Sequence, residues 1–287
     1  MSLCEIKVSI PVDRVDAVDD LLLEREDGRW SVMHDVLIPS ATIVGLFTSQ
    51  AEAAAEWAAL RNEIEGAGEP AYAEMADEDW KESYKLHFQP WHCEQLHWVP
   101  VWERESYPLP EGNVAIWLDP GMAFGTGNHE TTRLCCERLV AWAKTARADA
   151  RIFDAGCGSG ILAISAARLG FRGIQAFDND AEAVRVSEEN AELNGLSAEI
   201  RFYEGDLVSG FSGAPGDLVL ANILGHVLMQ FVPELVSAVA PGGLLVLSGI
   251  LATDLAEVRD AFASAVPTWR IETRVMGEWS DVALWRV

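Results

Sequence analysis

Positive charge is scarce in this chain. Its 287 residues carry 21 Lys and Arg against 45 Asp and Glu, a formal net charge of −24. A surface so acidic repels phosphate backbones, which argues against DNA or RNA as a direct substrate. It attracts a basic protein or peptide, although acidity for solubility alone gives the same composition. Cysteine is sparse too. The five present, Cys4, Cys93, Cys135, Cys136 and Cys157, are odd in number, and their spacings fit neither a disulfide framework nor a zinc site. They suit a reducing cytosol. His87, His92 and His97 do not form a metal-ligand set, so no metal is expected. The chain does not open with a basic segment followed by an apolar run. No stretch is long and apolar enough to cross a bilayer. The expectation is a cytoplasmic, monomeric protein without membrane contact.

Apolar residues make up 49% of the chain, a globular composition. The length allows two domains. Residues 1–76 read as a small α+β domain. Residues 4–10 alternate, with Ile6, Val8 and Ile10 on one face. Residues 12–24 carry Val15, Val18, Leu21 and Leu22 at helical spacing. Residues 30–37 and 41–47 suggest two strands parted by Pro39. Residues 51–64 suggest a helix, and residues 72–75 a last strand. This β-α-β-β-α-β order predicts a ferredoxin-like unit. Residues 77–95, polar and aromatic, read as a linker to a domain over 96–287. Trp80, Trp91, Trp98 and Trp102 are expected to pack between domains rather than form a binding cage.

From residue 151 strands and helices alternate, which predicts a doubly wound, mainly parallel α/β sheet. Strands are expected over 151–154, 173–177, 199–203, 217–221 and 244–248. Helices are expected over 161–169, 181–194, 227–239 and 255–265, the second closed by Gly195. Residues 269–275 and 282–287 read as a terminal antiparallel pair. The first strand leads into Asp154-Ala-Gly-Cys-Gly-Ser-Gly160, a glycine-rich turn that opens a helix. Gly156, Gly158 and Gly160 allow a tight turn and close approach of a ligand to the backbone. Asp178 ends the next strand about twenty residues on, where an acidic side chain can accept both hydroxyls of a ribose. That pairing serves dinucleotides and S-adenosyl-L-methionine alike. The G-x-G-x-G spacing differs from the G-x-G-x-x-G that seats a pyrophosphate, and so favours S-adenosyl-L-methionine. A nucleotide oxidoreductase remains the enzymatic rival.

Four further positions invite chemistry. Asp180, just before Ala181, reads as a helix N-cap. Asp206 is either a contact for the adenine amine or a turn residue. Asn222 ends the fourth strand, where its neutral amide either orients an incoming amine or satisfies the strand end. The segment Asp119-Pro-Gly-Met-Ala-Phe-Gly-Thr-Gly-Asn-His-Glu-Thr-Thr132 has the composition of a loop that caps a ligand, and it leads into a helix beginning near Thr131. Phe124, Gly125 and Thr126 would form the cap, and Thr132 would bond the amino-acid end of the cofactor. Cys135 and Cys136 then read as helix packing residues.

The terminal antiparallel pair after Gly242-Gly243 resembles the class I, Rossmann-like methyltransferase sheet. The chain as a whole resembles the family of methyltransferases of the large-subunit ribosomal protein eleven. The likeness rests on Glu78-Asp-Trp-Lys81, Val99-Pro-x-Trp-Glu103, Leu118 to Gly127, Gly156-Cys-Gly-Ser-Gly-Ile-Leu-Ala-Ile164, Ala221-Asn-Ile-Leu224 and Gly242-Gly-Leu-Leu-x-Leu-Ser-Gly-Ile-Leu251. It implies S-adenosyl-L-methionine as cofactor and methylation of protein amino groups, on lysine side chains and the N-terminus of that ribosomal protein. It implies an N-terminal domain that holds the substrate. It carries Thr132, Gly156, Asp178 and Asn222 over as cofactor contacts. The chain departs from the family's usual loop, with Asn128 for a Thr and Glu130 for a Pro. Methylation of another protein lysine or of a small amine stays open as an alternative.

Overall fold

The computed structural model describes residues 3–15, 18, 21–22, 29–34, 41–64, 66–75, 89–119 and 130–287. The chain divides into two compact units, 1–87 and 88–287. The first unit holds a four-stranded antiparallel sheet. Its strands are β1 (Leu3–Ile10), β2 (Trp30–His34), β3 (Ala41–Phe47) and β4 (Ala71–Met75), in the order β2-β3-β1-β4. Ile6, Val8 and Ile10 are buried on one face, as their alternation predicts. They pack with Trp57 and Leu60 of α1 (Gln50–Leu60). Ser49 caps α1 by accepting the Glu52 N–H at 3.2 Å, while the Glu52 carboxylate reaches back to the Thr48 N–H at 3.0 Å. Much of the helix expected over 12–24 lies outside the described residues.

The second unit is built on a seven-stranded sheet. In chain order its strands are β8 (Arg151–Ala155), β9 (Gly173–Asp178), β10 (Ile200–Glu204), β11 (Gly216–Asn222), β12 (Val239–Leu251), β13 (Arg270–Met276) and β14 (Trp279–Trp285). The order β10-β9-β8-β11-β12-β14-β13 reverses direction between β8 and β11. The first five strands run parallel. β14 inserts antiparallel between β12 and β13, which realises the expected terminal pair.

Alternate residues of each strand bury on opposite faces. Ile152, Leu218, Leu220 and Val246 meet α2 (Glu130–Ala143) and α3 (Ile161–Arg168). Phe153, Val219, Ala221 and Leu247 meet α5 (Gly225–Gln230), α6 (Val232–Ser237) and α7 (Leu255–Ala265). The strands thus carry apolar residues on both faces, as a sheet covered on both sides requires. α4 (Ala181–Leu193) is capped by Asp180, whose Oδ1 accepts the Glu182 N–H at 2.9 Å, and is followed by Gly195 at φ 66°. Both features follow the sequence expectation.

Two expectations need correction. The helix read over 227–239 is two short helices, broken at Phe231. Pro233 has no N–H to donate into a continuous helix, and β12 already begins at Val239. Trp91 and Trp98, read as packing between domains, are core residues of the second unit. β5 (Trp91–Cys93) and β6 (Leu96–Pro100) form a hairpin inside the stretch that begins within the expected linker, and β7 (Val114–Leu118) adds parallel to β6. That register sets Trp91 opposite Trp98, with rings stacked 3.9 Å apart, and Trp98 Nε1 donates to Ser165 Oγ of α3 at 2.9 Å. Trp80 lies outside the described residues.

Near the end of β12 the register shifts, and Gly249 adopts φ 81°. A Cβ there would stand 2.4 Å from the Ile223 carbonyl oxygen and 2.8 Å from its carbon, both backbone atoms. Gly242, at φ 78°, faces nothing within 4 Å. Gly242→Ala is expected to cost about 1–2 kcal/mol of backbone strain. Gly249→Ala adds a backbone clash to the same strain and is expected to cost more, about 3 kcal/mol. Urea denaturation of the two variants checks the ranking.

Candidate functional site

The carboxyl ends of β8, β9, β10 and β11 meet at a cleft of about 630 Å³. Gly156, Gly158, Asp178, Asp206 and Asn222 all line it, so five of the residues singled out by sequence converge on one space. It lies at the reversal of strand order, where ligands of such sheets bind.

The floor is the glycine turn. Gly156 and Gly158 have φ of 71° and 53°, a region that residues with a Cβ rarely adopt. A Cβ on Gly156 would lie 2.5 Å from Ile223 Cγ2. The turn is held from behind. The Gly156 and Cys157 N–H groups donate to the Phe177 carbonyl at 2.9 and 3.0 Å. Ser187 Oγ donates to the Gly158 carbonyl at 2.8 Å, and Asn190 Nδ2 to the Ser159 carbonyl at 3.0 Å. Gly160 does not line the cleft. It caps α3 and faces Ser187, 3.1 Å from where its Cβ would stand.

Asp178 serves the turn directly. Its Oδ2 accepts the Gly158 N–H at 2.9 Å and its Oδ1 the Asp180 N–H at 3.1 Å. A carboxylate oxygen offers two acceptor directions, so capacity remains on both. Asp206 is a turn residue as well as a cleft residue. Its Oδ1 accepts the Val208 N–H, the Ser209 N–H and the Ser209 hydroxyl at 3.0, 2.7 and 2.7 Å. These bonds hold its carboxyl below the usual carboxylate range.

Asn222 stands at the far side. Its Nδ2 donates to Thr132 Oγ1 at 3.4 Å, and its Oδ1 is buried with no partner. Thr132 itself is fully buried behind Asn222, and its neighbour Thr131 reaches the cleft wall. Phe124, Gly125, Thr126 and His129 fall outside the described residues. The facing wall is apolar, made by Ile223, Leu224, Val227, Phe231 and Trp279. Sequence reading missed these. Their signal is faint, because Val227 and Phe231 look like ordinary helix packing and Trp279 like a strand residue. His97 is unavailable as a ligand from either ring nitrogen, which pair with Tyr107 and Asn113 at 2.8 and 2.7 Å.

Beneath the turn Asp154 is fully buried. Its Oδ2 accepts the Ala163 N–H at 3.0 Å, and its Oδ1 has no partner. Burial, with a smaller contribution from the Asp178 charge, pushes its carboxyl up to about 7.

The residues fit a nucleoside. Glycines leave room against the floor, carboxylates with spare acceptors stand where hydroxyls or an amine would lie, and an orphaned amide oxygen marks the far end.

The model of the ribosomal protein L11 methyltransferase family matches residues 14–286. The ribosomal protein L11 methyltransferase of Geobacter metallireducens is 37% identical, covering 96% of this chain and 95% of its own length. That of an Exiguobacterium species is 41% identical, covering 77% and 71%. Among solved structures, a ribosomal protein L11 methylase from Lactobacillus delbrueckii subsp. bulgaricus superposes with a TM-score of 0.61 at 33% identity, covering 69% of this chain and 99% of its own.

The buried acid generates a pH prediction. Its folded-state value of about 7 lies above the unfolded value, near ~3.9. Ionisation therefore opposes folding, and wild-type stability rises as pH falls from about 7 toward 4. Asp154→Asn keeps an acceptor for Ala163 and removes this titration. The stability of the variant relative to wild type is expected to be greatest at pH ~8 and to decline steadily toward pH ~5. Denaturation midpoints across that range check it; a difference independent of pH would contradict it.

Proposed function

The chain belongs to the ribosomal protein L11 methyltransferase family and is a methyltransferase, and from that premise we propose that it methylates amino groups of ribosomal protein L11, on lysine side chains and the N-terminus. The cofactor in this reading is S-adenosyl-L-methionine, which supplies an electrophilic methyl group on a sulfonium. Gly156 and Gly158 would seat it, with Asp178 at the ribose hydroxyls and Asp206 at the adenine amine, while Thr132, buried behind Asn222, would hold that amide rather than the cofactor. Phe124, Gly125 and Thr126 would cap it.

The observation that carries the reading is the Asn222 Oδ1 atom, buried and without a partner at the end of the cleft. A buried acceptor left open costs free energy, and an incoming amine N–H removes that cost. Thr132 holds the other end of the amide, which fixes the direction of the oxygen. An amine that donates to it is restricted in orientation, with its lone pair free to be aimed. Lysine arrives as an ammonium with a reference pKa near ~10.4. The apolar wall of Ile223, Leu224 and Trp279 disfavours that charge, and water at the open side takes the proton.

The remaining assignments follow the same reading. Residues 1–76 form the substrate-recognition domain, and the methyltransferase domain is the second unit, 88–287, with β5 inside it, in a cytoplasmic monomer. The substrate is a basic ribosomal protein, drawn by the net charge of −24.

Mass spectrometry of purified L11 incubated with the chain and S-adenosyl-L-methionine is expected to show added methyl groups on lysine and the N-terminus. Asn222→Ala is expected to slow that reaction by about a hundredfold while S-adenosylhomocysteine still binds. Unmodified L11, or an undiminished rate in the variant, would refute the reading.

A further inference from the structure

The far end of the cleft is assembled from three separate stretches of chain: Asn222 at the end of β11, Thr131 in the first turn of α2 with Thr132 buried behind Asn222, and Trp279 at the start of β14. Their relative placement depends on how α2 is fixed to β13 and β14. That junction is centred on Asp281. Its carboxylate is fully buried and accepts from Arg138 Nε at 3.0 Å and Nη2 at 2.9 Å. It also accepts from Arg274, at the backbone N (3.0 Å), Nε (2.9 Å) and Nη2 (2.7 Å). Arg274 in turn donates to the Leu134 carbonyl and to Glu137 of α2, at 2.7 and 3.0 Å. Arg138 donates to Glu272 of β13 at 3.1 Å.

Such a cluster is poorly explained as a stabiliser. Burying charges carries a desolvation cost that apolar packing of similar volume avoids. Two planar guanidinium forks on one carboxylate instead fix distance and angle. The two residues before Asp281 bear on the cleft. Ser280 donates to the Ile250 carbonyl at 3.1 Å, and its own carbonyl lies 3.3 Å from Ser248 Oγ, which also bonds the Thr131 carbonyl at 3.1 Å. Trp279 is part of the cleft wall.

We infer that Asp281 is a positioning residue for methyl transfer: through Arg138 and Arg274 it sets Thr132 and Trp279 against Asn222. Its removal therefore lowers turnover without lowering affinity for the glycine-turn end of the cleft. This rests on Asn222 being the acceptor for the substrate amine.

The test uses the full chain. Asp281→Asn is assayed for single-turnover methylation of L11 and for S-adenosylhomocysteine affinity by calorimetry, with circular dichroism to follow the fold. The expected result is at least a tenfold loss of rate with affinity within about threefold of wild type. Combining it with Asn222→Ala should give a rate little below that of Asn222→Ala alone, because both changes remove one arrangement. A wild-type rate in Asp281→Asn, or two losses that multiply, overturns the inference. Should Asp281→Asn fail to fold, Arg274→Lys keeps the charge but forfeits the fork that spans Asp281, Leu134 and Glu137. It is expected to show the same split, and a wild-type rate there overturns the inference equally. A wild-type chain that leaves L11 unmodified overturns the functional reading, and this inference with it.

Discussion

The site depends on one hydrogen bond, from the Gly158 N–H to the carboxylate of Asp178. It joins the turn after β8 to the end of β9, and so gives a run of left-handed glycines a single shape. The other oxygen of Asp178 accepts the N–H of Asp180, the residue that caps α4. α4 then returns Ser187 and Asn190 to the carbonyls of the same turn. Asn190 also accepts the Asp119 N–H at 3.1 Å, and Asn194 bonds the Trp117 backbone in both directions. Asp119 directly precedes the glycine-rich sequence before α2. The turn, α4 and Asp119 are therefore one hydrogen-bonded unit, with Asp178 at its centre.

Two kinds of buried charge support this arrangement, and they behave oppositely. Asp154 is fully buried with a single N–H partner, and burial pushes its carboxyl up to about 7. Asp281 is equally buried but surrounded by two guanidinium groups. The first gives the floor of the cleft a pH dependence. The second ties α2 to β13 and β14 beside the far end, where the Asn222 oxygen is buried without a partner. In the proposed reading, nucleoside recognition and amine recognition are held by different scaffolding, one local to β8 and β9, the other spanning α2, β13 and β14.

How much of this is legible in the sequence follows from range. The glycine turn, the Asp180 cap and Gly195 are encoded within a few residues, and each reads directly from local chemistry. The alternation of the buried strands and the order of the elements read almost as well. The broken helix after Leu224 was signalled by Pro233, which the apolar periodicity of Val227, Leu228 and Val232 obscured. Trp91 and Trp98 share no such cue, because only their hairpin register makes them stack inside one unit. The contacts that organise the far end are longer in range: Thr132 meets Asn222 across 90 residues, and Arg138 meets Asp281 across 143. No period or motif announces such a pair. The two residues whose roles stood open, Asp206 and Asn222, needed three dimensions for the same reason.

The central claim is that Asp178 organises a seat for S-adenosyl-L-methionine. Isothermal calorimetry with S-adenosylhomocysteine and with NAD, on wild type and Asp178→Ala, tests it most directly. The account predicts that wild type binds S-adenosylhomocysteine and not NAD, and that the variant, still folded by circular dichroism, binds at least about a hundredfold more weakly. Equal affinity in the variant, or binding of NAD alone, would contradict it.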